Sequence, residues 1–248
     1  MSFISREEFA ARRYEDAIGI RNDVQLQNLY LNLLEKSIPY NLTSQTSWMG
    51  EPILQLPQDL FAIQELIYET KPDYIIEIGT AWAGSLLYYS TLLQQFGGKG
   101  VIGVDTFIPN DLRERVRQKG KVSELISFIE GSSLDKSTIE EITKLTNGSE
   151  RIFIHLDSNH TASHVYQELC IYSKMLGAGM YILCGDTHVE LLPKKSYGDK
   201  EYDKGNNPMI GLEQFLNEDR DNVFETDVNI NGKYLITLNP RGFIRKRQ

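Results

Sequence analysis

Two aspartates and a histidine form the most chemically loaded pattern in this chain. The stretch "IHLDSNH" ends an apolar run in Asp157 with His160 three residues on, and "ILCGDTH" ends another in Asp186. If both runs are neighbouring parallel strands, their acids meet at the carboxyl end of the sheet, where open α/β sheets bind ligands. Two carboxylates and water suit Mg2+, a hard ion that prefers oxygen ligands. Zinc fits less well, because the Cys and His spacings make no tetrahedral cluster. The competing assignment is structural, with both aspartates capping the helices that follow.

A second constellation lies upstream in "YIIEIGTAWAGS" (74–85). An apolar strand, a turn of small residues and a helix starting near Gly84-Ser85 make a cradle, since a helix N-terminus offers unpaired N–H groups and partial positive charge. Gly79 and Gly84 admit close approach of a ligand or of backbone; an ordinary βα turn favours glycine as well. Ala81 stands where a dinucleotide fingerprint carries its second glycine, which disfavours a pyrophosphate. Glu77 would repel phosphate but suits a ligand bearing an amino group and a sulfonium, and S-adenosylmethionine is such a ligand. Asp105, closing "VIGVD", is placed either to accept from ribose hydroxyls or to cap a turn. "EGSS" (130–133) brings Ser132 or Ser133 to the adenine. The donor site read from these strand ends is Glu77, Gly79, Thr80, Ala81, Ser85, Asp105, Thr106, Ser132, Ser133 and Asp157.

The elements that must position these residues follow from periodicity. Apolar runs at 74–79, 100–105, 126–131, 151–157 and 180–186 alternate with helical patterns at 84–97, 135–146 and 162–176. Runs apolar on both faces and separated by helices predict a parallel sheet covered on both sides. After a helix near 208–219 come "NVFETDVN" and "KYLITLN", joined through "INGK", and Asn231-Gly232 is a hairpin-turn signal. Five parallel βα units closed by an antiparallel hairpin give the α/β, Rossmann-like sheet of seven strands found in class I methyltransferases. A nicotinamide dehydrogenase would more usually continue with parallel units. Residues 1–50, helical around 24–37, read as an N-terminal appendage to a domain spanning 51–248. The polar stretch 193–207 is long for a structureless connection, and such loops are often lids.

Composition narrows the partners. The 248 residues are 41% hydrophobic and 24% charged, enough for a large core, with a net charge of −8. That acidic balance argues against nucleic acid, whose binding depends on clustered Lys and Arg, and "RGFIRKRQ" at the C-terminus reads as a solvated tail. Only Cys170 and Cys184 occur, so no disulfide framework is implied. The charged N-terminus lacks the apolar region of a signal peptide, and no apolar run reaches the ~20 residues of a membrane span. A cytoplasmic protein is expected.

Taken together, "WMGEPILQLPQDLFAIQELIYETKPDYIIEIGTAWAGS", "VIGVD", "EGSS", "LDSNHTASHVYQEL", "GDT" and "GNNPMIGLEQFL" resemble the cephalosporin hydroxylase / rhamnosyl O-methyltransferase family, over about residues 46–245. The resemblance implies a methyltransferase fold, S-adenosylmethionine, a divalent cation and a homo-oligomer. Asp157 and Asp186 match metal carboxylates of the family. His160 matches the catalytic base of related metal-dependent sugar methyltransferases, a role suited to an imidazole; the competing assignment, which carries less weight, is a surface or N-cap residue. The acceptor implied is a hydroxyl on a sugar, glycan or secondary metabolite. The sequence departs from the family at Gly185-Asp186, where Glu-Asp is usual, so one acidic ligand is missing. Trp82 and Ala83 stand where relatives often have Arg and Gly. A non-catalytic accessory protein that binds the donor is the second reading and a nicotinamide oxidoreductase the third. A hydroxylase finds no His-His-carboxylate pattern here.

Overall fold

The computed structural model describes residues 4–248. Helix α1 (Arg6–Asn22) starts at Ser5, whose hydroxyl accepts the Glu8 N–H, and α2 (Val24–Ser37) starts at Asp23, whose carboxylate accepts the Leu26 N–H. Both are ordinary side-chain N-caps. A short hairpin of β1 (Thr46–Trp48) and β2 (Glu51–Ile53) straddles residue 50. Helix α3 (Pro57–Thr70) leads into the alternating part: β3 (Tyr74–Ile78), α4 (Gly84–Gln94), β4 (Gly100–Asp105), α5 (Asn110–Arg117), β5 (Ile126–Glu130), α6 (Lys136–Thr146), β6 (Ile152–Leu156), α7 (Ala162–Tyr172) and β7 (Tyr181–Cys184). The chain ends with α8 (Pro208–Glu218), β8 (Phe224–Thr226), α9 (Val228–Lys233) and β9 (Phe243–Lys246).

The main sheet has seven strands in the order β5-β4-β3-β6-β7-β9-β8. The first five are parallel, and β9 runs antiparallel to both β7 and β8. This is the mostly parallel α/β sheet with antiparallel closure expected from the sequence. Strand order reverses between β3 and β6, and that switch point opens the crevice in which such sheets hold ligands.

Alternation along each strand divides the core in two. Ile75, Val101 and Phe153 point to the face covered by α3 and α4, against Ile63, Leu66, Leu86 and Tyr89. Ile76, Val104 and Ile154 point to the opposite face, against Ile142, Leu169, Tyr172 and Leu212 of α6, α7 and α8. The two-residue period has a consequence for the site: Glu77 and His155, paired in register, both fall on the α4 face.

The closing strands are built differently from the expectation. Asn231-Gly232 lies within α9 rather than in a turn. A Cβ on Gly232 would stand 2.6 Å from the Ala17 carbonyl, so this glycine serves the close approach of α9 to α1. The segment 234–239 forms no strand. Its Leu235, Ile236 and Leu238 pack against Tyr30, Leu34 and Leu56 of the N-terminal helices and the segment before α3. The strand that closes the sheet is 243–246.

Candidate functional site

The turn after β3 is shaped by backbone packing. Gly79 has φ +93, and a Cβ there would lie 2.0 Å from the Asp157 carbonyl oxygen. Gly84 opens α4 with the Pro52 carbonyl over it, 2.3 Å from where a Cβ would stand. Backbone, not ligand, thus accounts for both glycines. Ala81 and Ala83 take left-handed conformations at φ 42 and 60. Asp105 organises this turn: its Oδ2 accepts the Thr80 N–H at 2.9 Å and the Ala81 N–H at 3.3 Å. Thr106 beside it is exposed.

Beneath the turn lies a buried polar cluster. Glu77, 2% exposed, accepts from the Ser85 hydroxyl at 2.6 Å, and its other oxygen stands 3.2 Å from His155 Nδ1. The Tyr89 hydroxyl is 2.9 Å from the same nitrogen. Burial pushes the Glu77 carboxyl up, because the charged form loses its water. Burial would pull His155 down, but Glu77 and Asp157 outweigh it and hold the imidazole above its usual range.

Next to this cluster, β6 and β7 deliver the residues marked by the sequence. His160 sits between the two acids, with Nε2 3.4 Å from Asp157 Oδ1 and Nδ1 3.3 Å from Asp186 Oδ2. Neither contact has hydrogen-bond geometry, and both ring nitrogens are buried without a partner. Burial works against a charged ring here. The nearby carboxylates of Asp186 and Asp157 prevail and carry His160 up to about 9. Asp157 is held below the ordinary carboxylate range: burial acts to raise it, but His160, His155 and the 2.9 Å hydrogen bond from Gln55 win. One ligand atom from each of Asp157, His160 and Asp186 lies within 4.8 Å of the others.

This set fits a divalent cation. It offers two carboxylates and a ring whose nitrogens make no hydrogen bond, a donor set dominated by hard oxygen. A Cβ on Gly185 would stand 3.1 Å from Asp157 Oδ1, so position 185 faces the same cluster and, as glycine, adds no ligand.

How three parts of the site are held was not legible in the sequence, although the length of 193–207 had suggested a lid. Asp186 has a left-handed backbone at φ 54 and is held by its N–H on Asn239 Oδ1 at 3.0 Å. His188 donates from Nδ1 to the Leu238 carbonyl at 2.9 Å, which leaves Nε2 to accept the Tyr197 hydroxyl at 2.6 Å. The long polar stretch 193–207 therefore folds over the site, with Tyr197 latched to His188 and the Tyr202 ring 4.9 Å from the His160 ring, edge on. No spacing rule marks either tyrosine.

Ser133, expected at the donor's base, gives its hydroxyl to Glu168 at 2.5 Å. Ser132 lines the cleft. The cleft has two joined parts that share Gly79, Ala81, Asp157 and Ser158. One, of about 450 Å³, is bounded by Asp105, Gly131, Ser132 and Asn159; the other, of about 340 Å³, by Glu77, Trp82, His160, Asp186 and Tyr202. Of the residues marked in the sequence, Glu77, Ser85, Asp157, His160 and Asp186 face the second part, and Asp105, Thr106, Ser132 and Ser133 the first. The strand ends thus bring the acid cluster and the small-residue cradle into one elongated cleft. No helix among the described residues is long and apolar enough to cross a membrane.

Known proteins provide a consistent neighbourhood. The family described as Rhamnosyl O-methyltransferase/CmcI matches residues 40–247. A rhamnosyl O-methyltransferase of Mycobacterium tuberculosis is 29% identical over 206 residues, covering 81% of this chain and 78% of that protein. Its counterpart in Mycobacterium leprae is 28% identical over 207 residues, covering 82% and 83%. A solved CmcI structure with Mg and S-adenosylmethionine superposes with a TM-score of 0.57 at 21% identity, covering 83% of this chain and 78% of that one. An apo CmcI structure reaches 0.58 at 21% identity, covering 83% and 77%. At such identities the structural likeness speaks for the fold.

Proposed function

Because the chain belongs to the rhamnosyl O-methyltransferase/CmcI family, we propose that it is an S-adenosylmethionine-dependent O-methyltransferase, assisted by a divalent cation and acting on a hydroxyl of a sugar or secondary metabolite. The observation that carries this reading is the Asp157–His160–Asp186 cluster, set at adjacent strand ends and opening onto the same cleft as Glu77 and Asp105.

S-adenosylmethionine supplies an activated methyl group on a positively charged sulfur. Asp105, at the edge of the turn, is placed for the ribose hydroxyls, and Glu77 contributes negative charge beneath the donor's amino acid end. The Thr80 and Ala81 amides are already drawn onto Asp105, so the turn is organised before the ligand arrives. A cation held by Asp157 and Asp186 lowers the pKa of an acceptor hydroxyl when bound. His160, whose ring nitrogens make no hydrogen bond, would take the hydroxyl proton as the methyl group passes from sulfur to the acceptor oxygen. Because the two carboxylates hold it up to about 9, it would do so only once a cation on Asp157 and Asp186 offsets their charge or at alkaline pH. Trp82, Tyr197 and Tyr202 wall the acceptor end, exclude water and fix the acceptor's orientation, and orientation supplies much of the rate in such a displacement.

The deciding experiment is calorimetric titration with S-adenosylhomocysteine, with and without Mg2+. Binding in both conditions, tighter with Mg2+, is the expected result, and no binding in either refutes the reading. The same reading includes a homo-oligomer and a cytoplasmic location. The first is supported by α2, which leaves Leu29 67% and Leu33 49% exposed. The second is supported by the two unpaired cysteines. Light scattering at micromolar concentration showing only a 28.4 kDa species would exclude the oligomer.

A further inference from the structure

The geometry points to His164 as the residue that selects the donor's base, acting as a hydrogen-bond acceptor for an exocyclic amino group. This rests on the S-adenosylmethionine reading and deepens it.

The argument starts from Glu168. This side chain is 0% exposed on α7, and its Oε1 collects three contacts: the Ser133 hydroxyl at 2.5 Å, the Ser158 hydroxyl at 2.6 Å and His164 Nε2 at 3.0 Å. A buried carboxylate is held in place by donors of this kind. The Tyr172 hydroxyl, donating to the Ser133 carbonyl at 2.7 Å, fixes the same corner from below.

The network determines where the imidazole proton sits. His164 Nε2 also lies 3.2 Å from Ser133 Oγ, but that hydroxyl has spent its hydrogen on Glu168 and can only accept. With two acceptors before it, Nε2 carries the hydrogen. The neutral ring then has an unprotonated Nδ1.

His164 is one helical turn before Glu168 and keeps its side chain 22% exposed, on the wall of the larger part of the cleft. It shares that wall with Ser132 and Asn159, which are donors there. The Ser132 oxygen already accepts the Leu134 N–H, leaving its hydrogen. The Asn159 carbonyl oxygen accepts from Thr161, leaving its NH2 group. On this wall His164 Nδ1 is an acceptor flanked by the hydrogens of Ser132 and Asn159, while the carboxylates of Asp105 and Asp157 line the same part of the cleft. Adenine offers the complement, an amino donor next to ring acceptors. Hypoxanthine, with an oxygen at the same carbon and a hydrogen on the adjacent nitrogen, reverses that pattern and sets two acceptors against each other at Nδ1.

The test compares S-adenosylhomocysteine with S-inosylhomocysteine by calorimetry, on the wild-type protein and on His164→Phe, which keeps a ring and removes the acceptor. The wild type should bind the adenosyl ligand at least about tenfold more tightly, the scale of one hydrogen bond replaced by a mismatch, and His164→Phe should lose most of that preference. Equal wild-type affinities, a preference for the inosyl ligand, or a full preference retained in His164→Phe would each overturn the proposal. If the variant does not fold, 15N spectra of wild-type histidines decide. The Nδ1 resonance of His164 should move on binding S-adenosylhomocysteine, and an unmoved resonance overturns the assignment. A wild type that binds neither ligand refutes the methyl-donor reading itself, an outcome distinct from binding without discrimination.

Discussion

Replacing Asp59 with Asn should remove a pH-dependent weakness in the fold. Asp59 is fully buried on α3, where it accepts the Leu238 N–H at 2.9 Å and the Thr237 hydroxyl. Burial outweighs these hydrogen bonds and pushes its carboxyl up to about 7. In the unfolded chain the same group titrates near 3.9, so the gap is worth about 4 kcal/mol. The native state holds the proton more tightly than the unfolded state. Its stabilising contribution is therefore complete below the unfolded value and is lost as pH rises to about 7. Between about pH 5.5 and about pH 8 the loss is about 2 kcal/mol. The Asn variant cannot titrate, and at the acid end it should cost about 1 kcal/mol for an imperfect hydrogen bond. Urea unfolding of both proteins across this range isolates the effect, since all other groups cancel in the difference. The wild-type advantage should shrink, and reverse, as pH rises. A difference that stays constant with pH would refute the reasoning. The site shares in this, because Leu238 holds His188 and the neighbouring Asn239 holds Asp186.

Asp105→Ala should weaken S-adenosylhomocysteine binding by about 1–3 kcal/mol, losing both ribose contacts and turn order; unchanged affinity in calorimetry would place the ribose elsewhere. With only two carboxylates and Gly185 beside them, the cation should bind weakly. Activity should fall with chelator and in Asp157→Ala or Asp186→Ala, and full turnover in chelator would eliminate the metal role. His160→Ala should lower turnover by roughly 10²–10⁴ while leaving donor binding intact; near-wild-type turnover would eliminate the base. Gly79→Ala should destabilise the fold by about 2–4 kcal/mol, because φ +93 and the Asp157 carbonyl at 2.0 Å leave no place for a Cβ. A melting temperature equal to that of the wild type would contradict this.

The parallel strands and the meeting of Asp157 with Asp186 were legible because apolar periodicity is local and reports burial directly. Once β6 and β7 are neighbours, Asp157, one residue past the first, and Asp186, two past the second, must be close, whatever the rest of the chain does. The cradle after β3 was legible for the same reason, as was a helix at α2. Asn231-Gly232 shows where local chemistry fails. The pair carries the right residues for a turn, yet α1 lies against it and the space at Gly232 is spent on helix contact.

Polar partnerships were decided only by the tertiary structure. Glu77 was visible as an acid in a strand, but its partner His155 is 78 positions away, and Gln55 reaches Asp157 across 102. Ser133 had the right position for a base contact, yet Glu168 takes its hydroxyl, and the acceptor on that wall is His164, which no spacing had marked. Tyr197 and Tyr202 stand in a loop whose length suggested a lid, but nothing local says which side chains it latches onto. Sequence by itself determined which segments are buried and which ends converge, since hydrophobic burial is non-directional and written in patterns a few residues long. The tertiary structure decided which polar atoms remain available to a ligand, because a hydrogen bond depends on distances of about 3 Å and on angles, and these are set only when distant segments have packed.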